Sequence, residues 1–424
     1  MANIRSSFLV LFFIFMASPI WAVPLTLQEC LENAQKNNPA LQSSLWDTRM
    51  SQNGIRLANS TNYPRVDLRT GYTLQQAPQA VIINGKTAET QEPNFASGSL
   101  TANYTIYDFG RREAKLQQAN AHNDLTLSLF DAKRADVSMQ VIETYFGILE
   151  ADRLVVAAAE SVTQVEQHKV VAQVLFEQGV VTRNDLLQAE VKLAVAKQNL
   201  LAFKNRRENI WLQLNYLIGA DQFSRRELDE KSGMAAIGDV SPNDVREISR
   251  RSEIKAFRSA LAMSEAELQE SRSSFYPEIY SQLSLDYVQN KRVNEQAIMS
   301  AAIGLKMNLF EGFAATANRE RAIISQFKNK DLLRQTEAQI KLEIATSRND
   351  MQVARERIAE TEAAIRQSEE NLRINNERYQ ERVGTATEVL DAQTLLTQTK
   401  SDYYRALFDF QVASARLKHA KGDL

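Results

Sequence analysis

Phe176-Glu-Gln-Gly-Val-Val-Thr-Arg-Asn-Asp-Leu-Leu-Gln-Ala-Glu190 lies without a gap over Tyr379-Gln-Glu-Arg-Val-Gly-Thr-Ala-Thr-Glu-Val-Leu-Asp-Ala-Gln393, at a constant offset of 203 residues. The same offset carries Gly219 onto Gly422. Upstream, Tyr107-Asp-Phe-Gly110 matches Leu309-Phe-Glu-Gly312 at an offset of 202, and Tyr63-Pro64 matches Tyr276-Pro277 at 213. A period of roughly 200 residues is far too long for solenoid units, so the chain is a duplicated half-molecule. Whatever it builds, it builds from pairs.

Around the aligned stretches the chain is free of helix breakers. No proline occurs between Arg111 and Gly219 or between Phe313 and Gly422, and the few glycines there are Gly147, Gly179 and Gly384. Gly179 and Gly384 fall with threonines where the aligned stretches turn back. Each window therefore predicts a long helical hairpin, 111–219 and 313–422: one helix of about 68 residues, roughly 100 Å at 1.5 Å per residue, a tight turn, and a returning helix of about 35. Heptads agree. Ile344, Met351, Ile358, Ile365, Leu372 and Tyr379 are answered in the first half by Val141, Ile148, Val155, Val162, Lys169 and Phe176, with Lys169 the one departure. Three residues on stand small or polar side chains, Ser347, Ala354, Thr361 and Ser368 against Thr144, Ala151, Ala158, Val165 and Ala172. The returning helices repeat the spacing at Val389, Leu396, Tyr403, Phe410 and Leu417, and at Leu186, Leu193, Leu200, Arg207 and Leu214. A seven-residue repeat imposes left-handed supercoiling. Alternating large and small residues suit a curved wall of many helices, and an antiparallel coiled-coil hairpin is the alternative.

The segments between the helices alternate with period two. In Val66-Asp-Leu-Arg-Thr-Gly-Tyr-Thr-Leu74 and Ser99-Leu-Thr-Ala-Asn-Tyr-Thr-Ile-Tyr107, the residues Leu68, Tyr72, Leu74, Leu100, Ala102, Tyr104 and Ile106 share one face, with Asp67, Arg69, Thr101 and Asn103 on the other. The second half sets Ile279, Leu283, Leu285, Tyr287, Met299, Ala301, Ile303 and Leu305 against Gln282, Ser284, Asp286, Ser300, Gly304 and Lys306. This predicts β-hairpins over 66–108 and 278–310. Strands of about ten residues with this alternation are staves of outer-membrane barrels; a small exposed sheet beside a coiled coil is the soluble alternative. Two hairpins cannot close a barrel, and an open edge cannot sit in lipid, so in the membrane reading other subunits complete the sheet. Tyr63 to Asp108 spans 45 residues and Tyr276 to Phe310 spans 34, which makes the first external loop, near Gln76 to Phe95, the larger.

Composition excludes several classes. The 424 residues carry a net charge of −2 with acids and bases mixed, unlike the basic stripe of a nucleic-acid binder. One cysteine and three scattered histidines offer no disulfide, zinc site or Cys/His nucleophile pair, and no Gly-x-x-x-x-Gly-Lys loop is present. No catalysis and no cofactor are expected. Arg5, the apolar run Phe8 to Met16 and the small residues of Ala17-Ser-Pro-Ile-Trp-Ala22 read as a signal peptide over 1–22. Cys30 lacks a lipoprotein cleavage box and reads as a helix-face thiol. The organisation is then a signal, 1–22; a first repeat, 23–219; a linker, 220–241; and a second repeat, 242–424.

In order, spacing and duplication these features resemble the TolC-type outer-membrane efflux proteins. The resemblance runs from Leu25-Thr-Leu-Gln-Glu-Cys-Leu31 and the Asn38-Pro39 turn, through both Tyr-Pro strand starts and both Gly-ended strands, to Val383-Gly-Thr385 and Val389-Leu-Asp-Ala392. It implies a homotrimer in which each chain gives four strands to one 12-stranded transmembrane β-barrel, continued by an α-helical barrel into the periplasm. It further implies a channel-tunnel in the outer membrane of a Gram-negative cell. Such a channel is the exit duct of a tripartite efflux pump or type I secretion system, a passive conduit energised by an inner-membrane ABC or proton-driven transporter. A periplasmic adaptor protein would dock on the tips around Gly179, Val180, Val383 and Gly384. The rival identity is that adaptor itself, a coiled-coil protein without lipid-facing strands.

The resemblance also implies that Glu388 and Asp391 line a closed periplasmic entrance and that Asp185 takes part in the links holding it shut. Family members can carry an arginine after Val-Gly-Thr; here that position is Ala386, and Arg183 and Arg382 are the nearest substitutes. The residues themselves permit two roles. Thr182-x-x-Asp185 and Thr385-x-x-Glu388 have the form of capping boxes, and three copies of Glu388 and Asp391 about one axis would make acidic rings that attract cations. Asp391 lies beyond the first helical turn, where the macrodipole has faded, and is the better candidate for the pore.

Overall fold

The computed structural model describes residues 24–237 and 248–424, so the signal read over 1–22 and the end of the linker read over 220–241 lie outside the described residues. In chain order it comprises α1 (Leu27–Asn37), α2 (Pro39–Ser60), β1 (Arg65–Leu74), β2 (Ala80–Ile83), β3 (Lys86–Glu89), β4 (Asn94–Tyr107), α3 (Arg111–Glu177) and α4 (Arg183–Ile218). The second half adds α5 (Glu230–Ile237), α6 (Ser252–Ser273), β5 (Glu278–Val288), β6 (Ala297–Lys306), α7 (Ala314–Gln380) and α8 (Ala386–Lys421). The duplication is dimensional: α3 and α7 are each 67 residues long, α4 and α8 each 36. Local chemistry sets the boundaries. Asn38 caps α2, its side-chain oxygen accepting from Ala40 N at 3.0 Å and Leu41 N at 3.2 Å, with Pro39 in the first turn where a missing N–H costs nothing. Gly219 closes α4 in the left-handed conformation.

The chain folds as two compact units. One, formed by 35–140, 248–362 and 409–424, holds an antiparallel sheet of order β1-β4-β5-β6. Its register puts Leu68, Leu100, Leu285 and Met299 in one row across all four strands, and Asp67, Thr101, Ser284 and Ser300 in an adjacent polar row. The apolar row is open: Leu68 is 71% and Met299 83% exposed. Neither outer edge, that of β1 or of β6, has a strand partner among the described residues. Strand β4 begins at Asn94, five residues before the alternation becomes legible, because Ala96, Ser97 and Gly98 carry no hydropathy contrast; pairing of Leu74 with Asn94 extends it. Within the first external loop, where the sequence reading has no strands, β2 and β3 form a hairpin whose Asn84-Gly85 turn has both residues at positive φ. An Arg292–Glu89 ion pair and a hydrogen bond from Asn290 Nδ2 to Thr90 O at 2.8 Å tie that hairpin to the β5–β6 loop.

Aromatic side chains gather at the helix-side ends of the strands. Phe109 packs on Tyr107 and stacks on Tyr276 with centroids 4.8 and 5.1 Å away, and Phe310 meets Phe313 at 5.7 Å. Where α8 ends, this unit is held by charge. His419 Nε2 lies 3.2 Å from Asp136 Oδ1 on α3, and Nδ1 lies 3.4 Å from Glu343 Oε1 on α7. Arg251, buried, forks onto Glu253 at 2.9 and 2.7 Å and donates to His419 O at 2.8 Å. With both ring nitrogens facing carboxylates the imidazole donates twice, which requires the cation; hydrogen bonds to Asp136 and Glu343 push its pKa up to about 9.

The other unit comprises 24–34, 141–237 and 363–408. Leu25 bridges Leu228 in parallel, and the Tyr145 hydroxyl lies 2.8 Å from Asp229 O and 3.1 Å from Leu25 O. Tyr145, Phe146, Ile148, Leu154 and Phe408 form its fully buried centre. The large heptad residues Val141 and Ile148 on α3 and Leu372 and Tyr379 on α7 are buried, but between them the small positions are the better covered: Ala151, Ala158, Ala172 and Ser368 are buried, whereas Val155, Val162 and Ile365 are half-buried. Over those middle stretches the small residues form the intrachain seam, and Val155, Val162 and Ile365 flank it with surface still uncovered.

Candidate gate at the helical tips

Both long hairpins turn by the same device. After α3, Gly179 N donates to Phe176 O at 2.9 Å and Val180 N to Leu175 O at 2.8 Å; after α7, Arg382 N donates to Tyr379 O at 3.2 Å and Val383 N to Arg378 O at 2.9 Å. This is the paired hydrogen-bond scheme of a Schellman end. It demands a left-handed residue, supplied by Gly179 at φ 71° and by Arg382 at φ 65°. Gly384 lies within the second reversal, where the sequence places it, but does not supply the left-handed residue. Gly384 is needed for close approach instead, since a Cβ there would stand 3.1 Å from Arg378 Cβ and 3.2 Å from Glu388 Oε2.

Each returning helix then opens on a capping box. Thr182 N donates to Asp185 Oδ2 at 2.9 Å and Asp185 N to Thr182 Oγ1 at 3.3 Å. Thr385 N donates to Glu388 Oε2 at 3.0 Å and Glu388 N to Thr385 Oγ1 at 3.2 Å. The two carboxylates are therefore caps by geometry. Glu388 has a further partner, Arg378 Nη1 at 3.7 Å, so the arginine beside it is neither Arg183 nor Arg382. Sequence reading passed over Arg378 because it lies ten residues away on the opposite arm, and only the turn folds it back.

Asp391 stands apart from both caps. It is exposed and borders a groove of about 430 Å³ between the first turns of α4 and α8, with Leu187, Gln188, Val191, Lys192 and Leu390 as walls. Thr387 Oγ1 donates to Gln188 Oε1 across it at 3.0 Å. Of the tip residues named for docking, Gly179, Val180 and Val383 are exposed and Gly384 is half-buried.

Beneath the tips the seam contains a polar defect. His168 and Tyr379 face each other with ring centroids 5.1 Å apart, beside Gln393, and all three border a cavity of about 320 Å³. His168 Nε2, the Tyr379 hydroxyl and Gln393 Oε1 are buried without a protein hydrogen-bond partner. Burial lowers the His168 pKa; burial first, then the Asp185 charge, raises that of Tyr379. No sequence signal marks this site, because Tyr379 reads as one more heptad core position.

Nothing in this constellation pairs a nucleophile with a base, and the described residues contain no group of three or more His, Cys, Asp or Glu able to hold a metal ion. No described helix is long and apolar enough to cross a membrane. The chain is similar to CyaE of Bordetella pertussis (strain Tohama I), 23% identical over 419 residues that span 94% of this chain and 84% of the relative. It is 20% identical over 418 residues to the alkaline protease secretion protein AprF of Pseudomonas aeruginosa, spanning 95% and 85%. Its fold superposes on the Campylobacter jejuni CmeC outer membrane channel with a TM-score of 0.82 at 15% identity, covering 94% of this chain and 85% of that one. The sequence matches the outer membrane efflux protein family over residues 30–220 and 245–423, both repeats, and the chain belongs to that family.

Proposed function

We propose that three copies of this chain close one 12-stranded barrel in the outer membrane and continue it as a helical duct, the exit path of a tripartite efflux pump or type I secretion system. One observation carries the reading: a four-stranded sheet with both edges open and an uncovered apolar row from Leu68 to Met299. Lipid is the medium that covers such a face without a protein partner, and edge-to-edge pairing with further copies is how such a sheet satisfies its outer strands there. Phe109, Tyr276, Phe310 and Phe313 sit where an interfacial aromatic girdle belongs. A periplasmic adaptor has no use for this sheet, which disfavours the rival reading.

The half-buried branched residues flanking each seam support side-by-side packing with neighbouring copies. Glu388 and Asp391 from each copy would then form the acidic constriction of the periplasmic gate, with Asp185 in the links that hold it closed. Gly179, Val180, Val383 and Gly384 would receive the adaptor, and an inner-membrane ABC or proton-driven transporter would supply the energy. The name of AprF, a protease secretion protein, favours the secretion branch. Mass measurement of the detergent-purified protein is the test: three chains per particle is the expected result, and a monomer or dimer removes the shared barrel.

A further inference from the structure

Tyr280 and Gly304 stand directly opposite each other on β5 and β6. Both belong to the polar face, one row in from Glu278 and Lys306 at the strand ends nearest the helices. A Cβ on Gly304 would lie 2.6 Å from both Cζ and Oη of Tyr280 and 2.9 Å from Cε1. The far end of the phenol ring therefore leans across to the next strand and covers the glycine. This is an aromatic covering of a strand glycine, and it has a geometric consequence where the polar face turns inward. The space in front of this level, about 810 Å³, is bounded by Arg65, Asn103, Thr105, Glu278, Tyr280 and Lys306. A tyrosine standing upright here would project into it; a tyrosine leaning over Gly304 leaves it clear.

The φ of Gly304 is not in the left-handed region, so backbone conformation does not call for glycine there. Only the ring does. We propose that the Gly304–Tyr280 pair sets the bore of the barrel at its helix-side end, and so the largest solute the barrel admits. The proposal rests on the shared-barrel reading, which turns the polar face inward and places three such rings at one height. Because the atoms that a Cβ would meet are the far end of the tyrosine side chain, the ring and not the backbone must yield to a larger residue.

The experiment uses purified trimers in planar bilayers, with polyethylene glycols of graded size added from the barrel side to find the largest that still enters. Gly304→Ala should lower that cut-off, and Gly304→Ala with Tyr280→Ala should restore it. Tyr280→Ala alone should leave it at the parent value, since a ring leaning over Gly304 occupies little of the lumen. An unchanged cut-off in intact Gly304→Ala trimers overturns the proposal, as does a clear rise in Tyr280→Ala, which would mean that the ring already projects. If Gly304→Ala fails to assemble, adding Tyr280→Ala should recover trimers, and no recovery also overturns it. A parent protein that is not a trimer, or that forms no channel, instead refutes the shared barrel.

Discussion

Two histidines, one in each compact unit, His168 buried and His419 half-buried, meet opposite fates. His419 in the sheet-bearing unit has a carboxylate at each ring nitrogen and an arginine on its carbonyl. His168, below the helical tips, has an orphaned Nε2 and a neighbouring phenol that is orphaned as well. The first is held as a cation at about pKa 9, whereas burial disfavours charge on the second. Where α8 ends, α3, α6, α7 and α8 are thus pinned by a satisfied charge network. The tip seam tolerates defects of a kind that cost about 1–3 kcal/mol each when buried. Under the proposed gate, in which the tips part to conduct, a seam that is not fully satisfied lowers the cost of opening.

The largest effect belongs to His419. Its folded pKa is raised from 6.5 to about 9, so its stabilisation is complete below pH 6.5 and is lost as pH rises through 9. The full difference is about 3 kcal/mol. Hydrogen exchange at the end of α8 should show protection falling between those limits, and His419→Gln should flatten the dependence at the lower level. His168 has the opposite sign. Its folded pKa lies below 6.5, so the tip seam should weaken as pH falls below that value. A tip that loosens in alkali together with the α8 end would erase the distinction between the two histidines.

Removing a defect should strengthen the seam. Tyr379→Phe deletes a buried hydroxyl without a protein partner and keeps the ring on His168, so protection of the α7 end should rise by about 1 kcal/mol. A loss of similar size would reveal a hydrogen bond to that hydroxyl. Caps behave the other way. Glu388→Ala should cost about 0.5–2 kcal/mol at its tip by deleting one half of a capping box. Joined with Asp391→Ala, it should weaken block by multivalent cations in single-channel recordings if the acidic ring exists. Unchanged block in intact trimers would leave Glu388 a cap and Asp391 a surface charge.

Sequence reading reached the duplication, the long helices, the strand faces and both capping boxes because each is written in short-range periodicity or spacing. It missed what depends on folding back. Arg378 meets Glu388 only after the turn, the polar seam is assembled from three helices, and the demand for Gly304 comes from a ring on the next strand. The β2–β3 hairpin was legible in principle, since Asn84-Gly85 follows the β-branched run Val81-Ile82-Ile83. Period-two alternation does not mark it, since both short strands are exposed throughout.

The smallest effect tests whether the tip carries strain as well as orphaned groups. The two turns share hydrogen bonds and caps, yet one places glycine and the other arginine in the left-handed position. That conformation costs a residue with a Cβ about 1–2 kcal/mol, while glycine loses about 0.5–1 kcal/mol more entropy on folding. Arg382→Gly should therefore stabilise the second tip by about 0.5 kcal/mol, the difference between the two. Arg382→Ala, which keeps a Cβ, should change little. The pair separates backbone from side chain: if glycine and alanine both weaken the tip, the guanidinium itself is engaged there, and the arginine is a contact rather than a tolerated strain.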